Sequence, residues 1–334
     1  MIHEPTIALA MPPPLPPQSP AVSLPHEAAW AELHQLQTSK GSWMGGLILL
    51  LVTLGVALGI GSQQWTFGKA VSIMGILFVH EVGHYVAMRC FGYREVRMFF
   101  VPLFGAAVTG RNHNVPGWKT AIVSLMGPVP GIFLGTLVGI IAAVIENNWL
   151  AEISMLAVVI NAINLLPMLP LDGGWFWNAV LFSRHYKLEL AFKFLAGVAA
   201  FMATIAGLGK IWIYLGIVTL IGIPGVNMQG KIVESLRRKG FGAASEADDT
   251  PSRELGDSIF DELNQAIKGL SPKAMANVAL QIFARLNARP PGGLETAGLC
   301  TIYSIAIIAA FIGFAFAGYA LFGDGSGTPP GVTE

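Results

Sequence analysis

Apolar stretches of about the length that crosses a bilayer recur along this 334-residue chain. They occupy residues 43–60, 68–91, 120–145, 149–171, 190–208, 211–226 and 299–322. A spanning helix needs roughly 20 predominantly apolar residues. It must also satisfy its own backbone hydrogen bonds, because lipid offers no water to do so. The stretch 211–226 is the shortest of the set. Composition agrees with a membrane protein: 12% of residues are charged, against about 25% in a soluble domain. The expected fold is an all-α polytopic membrane protein with about six to seven transmembrane helices.

Charge placement orients these spans. With the N-terminus in the cytoplasm, every Lys and Arg except Lys69 and Lys210 falls on the cytoplasmic side, as the positive-inside rule requires. Short loops and this bias are read as a multi-pass protein of the cell (plasma) membrane. The formal net charge is zero, which gives no reason to expect nucleic acid as a partner. Cys90 and Cys300 lie far apart and offer no disulfide framework. Residues 1–42 are Pro-rich, lack the pattern of a signal peptide, and read as a disordered cytoplasmic tail with one short helix near 27–36. A transmembrane domain then covers 43–226, with its core at 68–174. Residues 227–298 read as a cytoplasmic helical or linker region, amphipathic over 257–286. A C-terminal transmembrane helix (299–322) and a short tail (323–334) complete the chain. Residues 96–110 are apolar but too short to span, and Pro102 and Gly105 break any helix there. They form either a re-entrant hairpin, which is tolerated where it lines a cavity, or a loop lying on the surface.

The stretch 68–91 breaks the apolar rule in one place, His80-Glu81-Val82-Gly83-His84. Ionisable side chains at membrane depth cost several kcal/mol on the order of the insertion scales, so their default reading is functional. The spacing H-E-x-x-H on a helix has a mechanical meaning. At about 3.6 residues per turn, i and i+4 share one face, so His80 and His84 can direct imidazole nitrogens at one ion. Zinc takes such ligands at roughly 2.0–2.1 Å and prefers four-coordinate geometry. Glu81 need not be a ligand. It can accept a proton from water whose pKa zinc lowers to about 7. A hydrogen-bonded structural histidine, or a His–Glu proton relay, accounts for the residue types but not for the spacing. Gly83 leaves room for a helix or a substrate to approach.

Two histidines leave a catalytic zinc one protein ligand short. Asp172 is the downstream ionisable residue at similar depth on the same side. It closes the run Asn164-Leu165-Leu166-Pro167-Met168-Leu169-Pro170-Leu171-Asp172-Gly173-Gly174. Two prolines and two glycines unwind the helix there, and an unwound stretch can turn a carboxylate inward. The alternative is an Asp that caps a helix beyond the membrane. Asn164 is open between two roles, hydrogen bonding to substrate or an oxyanion and fastening of the broken helix. Asn161, one turn earlier, reads as structural. His113 is a further candidate ligand, but Arg111, Asn112 and Asn114 around it read as a solvated loop.

HEVGH in one helix and NLLPMLPLDGG ending another resemble the site-2 protease family of intramembrane zinc metalloproteases. Gly127-Pro128 is similar to that family's glycine-proline element. The resemblance covers roughly residues 68–174 and implies a three-helix catalytic core. It implies that His80, His84 and Asp172 hold one Zn2+ and that Glu81 is the catalytic glutamate. It also implies a re-entrant β-hairpin near the zinc, matching 96–110, whose edge would bind an unwound substrate as an added strand. The implied partners are a transmembrane substrate protein and the bilayer. The implied activity is cleavage of peptide bonds in or near transmembrane segments, with release of signalling products. One departure is that Val129-Pro130-Gly131 follows Gly127-Pro128, where many members carry an Asn. No PDZ or CBS module is legible.

A proton- or metal-coupled transporter also needs intramembrane His, Glu and Asp. Transporters often show matched broken helices in internal repeats, whereas one broken helix and a single HEVGH occur here. A non-catalytic binding member of the same fold is disfavoured by the intact Glu81. Oligomeric state is left open.

Overall fold

The computed structural model describes residues 24–38, 43–64, 66–101, 105–111, 115–242 and 250–322. Among these, five helical stretches are long and apolar enough to cross a membrane: Phe67–Cys90, Gly117–Val144, Tyr186–Ile205, Ile211–Arg238 and Gly293–Phe322. The protein is an all-α, multi-pass membrane protein. Its helices are α1 (Leu24–Thr38), α2 (Trp43–Gln64), α3 (Phe67–Cys90), α4 (Gly117–Leu125), α5 (Pro128–Val144), α6 (Asn148–Asn164) and α7 (Asp172–Val180). They continue with α8 (Tyr186–Ile205), α9 (Ile211–Ile221), α10 (Ile223–Arg238), α11 (Arg253–Ala266), α12 (Pro272–Leu286) and α13 (Gly293–Phe322).

Local chemistry sets where α3 starts and stops. The Thr66 hydroxyl accepts from the Lys69 N–H at its N-terminus, satisfying one orphan donor of the first turn. At the other end Gly92 takes φ +82°, a backbone angle that a Cβ disfavours. Gly92 N–H then donates to Arg89 and Tyr93 N–H to Met88, the paired bonds of a Schellman cap. The chain leaves this cap into strand β1 (Arg94–Val101), which pairs antiparallel with β2 (Gly105–Arg111), Met98 opposite Val108. The hairpin packs against α2 and α3, beside the helix that carries HEVGH. Pro102 lies outside the described residues, as does His113.

Two expected spans are broken, each at a functional position. The stretch 120–145 divides into α4 and α5 at Met126-Gly127, where Pro128 supplies no backbone donor and so cannot continue the helix ladder. The stretch 149–171 is helical only to Asn164. Leu165–Leu171 run irregularly, and α7 then begins at Asp172 itself. Close helix contacts hold these pieces. A Cβ on Gly83 would stand 1.8 Å from the Met126 carbonyl oxygen, so α3 meets the α4–α5 break backbone to side-chain-free backbone. Gly131, Gly135 and Gly139 line the face of α5 that receives Asn161, Ala157 and Ser154 of α6. Small residues at every fourth position let membrane helices approach closely. Ser154 Oγ donates to the Gly135 carbonyl at 2.8 Å across this seam. The last span, α13, packs along α5 and α6 and belongs to the core rather than standing apart.

Residues 227–298 are not a linker. The second half of α10 with α11, α12 and α1 builds a separate hydrophobic core around Trp30, Leu33, Leu236, Phe260, Leu263 and Phe283. Here α1, the short helix expected near 27–36, spans Leu24–Thr38 and packs with Ala29, Trp30 and Leu33 buried. Its Trp30 Nε1 donates to Asp257 Oδ1 at 2.7 Å. The indole rests on Gly256, where a Cβ would come within 2.2 Å of the ring. This four-helix cap is joined to the membrane core through Glu189 of α8. Its buried carboxylate receives two N–H bonds from Arg285 of α12, at 2.8 and 3.2 Å.

Candidate metal centre

His80 and His84 lie one turn apart on α3, both buried, with Glu81 buried between them in sequence. Their ring orientations are fixed from behind by acceptors on two other helices. His84 Nδ1 lies 2.8 Å from the Val123 carbonyl of α4. A carbonyl only accepts, so Nδ1 carries the proton and Nε2 presents a lone pair. His80 Nδ1 lies 2.7 Å from Asn161 Oδ1 of α6. Asn161 Nδ2 donates to Ala157 O at 2.7 Å, which turns its oxygen toward the imidazole and makes His80 Nδ1 the donor as well. This is the outer-shell arrangement that orients metal-binding histidines.

In the neutral rings both Nε2 atoms therefore present their lone pairs to one place. They are 3.1 Å apart. Asp172 at the first residue of α7 completes a triangle, with Oδ2 at 3.0 Å from His80 Nε2 and Oδ1 at 3.3 Å from His84 Nε2. Asp172 Oδ2 is buried and accepts no hydrogen bond. Four electron-rich atoms, two imidazole nitrogens and both carboxylate oxygens, repel at this spacing unless a proton or a metal cation stands among them. Four-coordinate zinc with ligands at roughly 2.0–2.1 Å separates its ligand atoms by about 3.3 Å. The three separations fall close to that edge length, and the hard and borderline donors suit zinc. Gly127 keeps the space open, since a Cβ there would lie 2.3 Å from His84 Nε2 and 2.7 Å from His80 Nε2. Glu81 shares the cluster, its carboxylate lying within 4.8 Å of the histidine donors.

Residues 68–148 match the profile of peptidase family M50. The matched stretch runs from α3 to the start of α6 and so includes HEVGH and Gly127-Pro128. It is similar to a zinc metalloprotease of Methanocaldococcus jannaschii, 24% identical over 196 residues that cover 56% of each chain. It is also similar to stage IV sporulation protein FB of Bacillus subtilis, at 29% over 120 residues covering 35% of this chain and 41% of that protein. A putative zinc metalloprotease, Rip3, of Mycobacterium tuberculosis is 31% identical over 130 residues, 35% of this chain and 32% of that protein. The chain thus spans about half the length of the first of these relatives and less of the others.

The candidate site is drawn from four separate places: α3, the α4–α5 break, α6 and the start of α7. Asp172 stands with the histidines and not as a distant cap. Asn164 donates its amide to the Ile160 carbonyl of its own helix at 3.0 Å. The asparagine that reaches a histidine is Asn161, which sequence reasoning assigned to structure alone. Its signal was faint, because a buried Asn on an apolar helix looks the same whether it serves a ligand or its own backbone. Gly131 makes room for it, since a Cβ there would come within 2.3 Å of Asn161 Oδ1. The polar group missing after Gly127-Pro128 thus has a neighbour on the facing helix.

Proposed function

We propose that this chain is an intramembrane zinc endopeptidase that hydrolyses peptide bonds in or near transmembrane segments of other membrane proteins. His80, His84 and Asp172 would hold one zinc ion. What supports this is the convergence of two imidazole nitrogens and one carboxylate on a single buried point. Asp172 is preferred over Glu81 as third ligand because its oxygens approach both Nε2 atoms, whereas Glu81 lies about 100° around the helix from His80. When bound, zinc supplies a Lewis acid that polarises the scissile carbonyl and acidifies water.

Glu81 is then the general base. It takes a proton from the water whose oxygen adds to the carbonyl carbon, and returns it to the amide nitrogen as the C–N bond breaks. Burial keeps bulk water from the site and strengthens each charge interaction there. A peptide bond inside a helix is shielded, so the substrate must be extended before attack. The β1–β2 hairpin beside α3 offers an edge on which an extended segment can add as a strand. The domain division in this reading is a protease core at 68–174 with a cytoplasmic cap. The setting is a plasma membrane, with the site near its cytoplasmic face, and the released products serve signalling.

The test is a Glu81→Gln variant reconstituted in liposomes with candidate single-span substrates. It should keep stoichiometric zinc and lose cleavage by roughly 100-fold or more. Cleavage at the wild-type rate by a zinc-loaded variant would remove Glu81 from the mechanism.

A further inference from the structure

A cavity of about 670 Å³ opens where the four-helix cap meets the membrane core, and none of the metal-centre residues lines it. Its volume is that of a small-molecule site. Its walls come from the starts of α4 and α8, the exit of α7 and the ends of α10 and α12. The starts of α4 and α8 and the end of α10 are ends of stretches that can cross a bilayer. The cavity therefore lies at the level where spans leave the membrane, the level of lipid headgroups.

The charge on its walls is lopsided. Arg285 is occupied by Glu189, and Arg184 by the Pro291 carbonyl at 2.6 Å. Lys187 and Arg237 add two more positive charges to the lining, against the carboxylate of Glu234. Such a surplus at a membrane surface attracts anionic headgroups. Trp175, half exposed on the wall, is a residue type favoured at this depth. From the mouth, Leu188, Leu195 and Met202 lie seven residues apart on α8 and are all exposed. That stripe gives an acyl chain an apolar path which a free anion would not need.

We propose that this cavity binds the phosphate headgroup of an anionic phospholipid, with an acyl chain laid along α8. Phosphate chemistry is shared by lipid and free anion, and the experiment separates them. The full chain is placed in phosphatidylcholine nanodiscs with a limiting amount of phosphatidylglycerol, and retained lipid is counted by native mass spectrometry. The Lys187→Gln/Arg237→Gln pair should hold phosphatidylglycerol roughly 30-fold more weakly, as two lost surface charges imply. Glu234→Gln should hold it about five-fold more tightly, a gain that misfolding cannot mimic. Millimolar inorganic phosphate should leave the bound lipid in place. Equal retention by wild type and the double variant would overturn the proposal. So would displacement by inorganic phosphate, which would make the cavity a site for a soluble anion. No variant touches the metal centre, so the outcome is independent of protease activity.

Discussion

In the proposed centre Asn161 holds the far nitrogen of His80. The Asn161 amide is itself fixed by the Ala157 carbonyl, so tautomer and ring angle are set before any ion arrives. Such orienting partners are typically worth 10–100-fold in metal affinity. Asn161→Ala should weaken zinc binding by about that factor, read by competition with a chelator, while Asn161→Asp, which keeps an acceptor oxygen, should lose less. An unchanged affinity in the alanine variant would mean that the contact is incidental. At this scale the sequence was legible where spacing carries the chemistry: His80 and His84 at i and i+4, and Glu81 beside them. Asp172 was legible only through the need for another donor. Asn161, the Val123 carbonyl and the opening at Gly127 were not. A backbone acceptor leaves no mark in residue types, and a glycine says that something is close without saying what.

At the scale of elements, the site depends on helices that stop early. α6 ends at Asn164 and α7 starts at Asp172, and the two glycines that follow let α7 dock on the break. A Cβ at Gly173 would lie 2.1 Å from the Leu165 carbonyl oxygen, and one at Gly174 within 2.4 Å of Met168. The Leu165 carbonyl, left over by the broken helix, accepts the Tyr303 hydroxyl of α13. Tyr303 also stacks on Phe176 of α7, ring centroids 4.7 Å apart. Tyr303→Phe keeps the ring and deletes the donor, leaving a buried acceptor unmet. Thermal unfolding in detergent should show a loss of about 1–3 kcal/mol. A variant as stable as wild type would mean that the carbonyl finds another partner. Proline and glycine announced the second break, at Pro167 to Gly174, whereas the first, at Gly127-Pro128, lies inside a stretch that reads as one span. The sequence did not reveal that α13 clasps the second break, since an apolar span shows no preferred neighbour when lipid and protein are equally apolar.

The whole molecule is a membrane core with a packed helical cap, and one buried ion pair joins them. Glu189 is 1% exposed and meets Arg285 of the cap, with Lys193 at 3.7 Å. Removing one partner from a buried pair costs about 3–5 kcal/mol when nothing else meets the charge left behind. Arg285→Met should lower the unfolding midpoint by less than that, because Lys193 still faces Glu189, and an added Lys193→Met should lower it further. If the double variant is as stable as the wild type, these contacts do not hold the two parts together. The cap was half legible. The amphipathic period over 257–286 announced helices, and a short helix near 27–36 was legible, but not that its Trp30 and Leu33 join a core whose other helices lie about 200 residues or more away. The same distance problem defines the central claim, that residues almost a hundred positions apart meet around one ion. X-ray absorption at the zinc edge tests this on the purified protein. One zinc per chain is predicted, with two imidazole nitrogens and a carboxylate oxygen in its shell, the oxygen contribution changing in Asp172→Ala. Absence of stoichiometric zinc, or a shell without imidazole, would contradict the account.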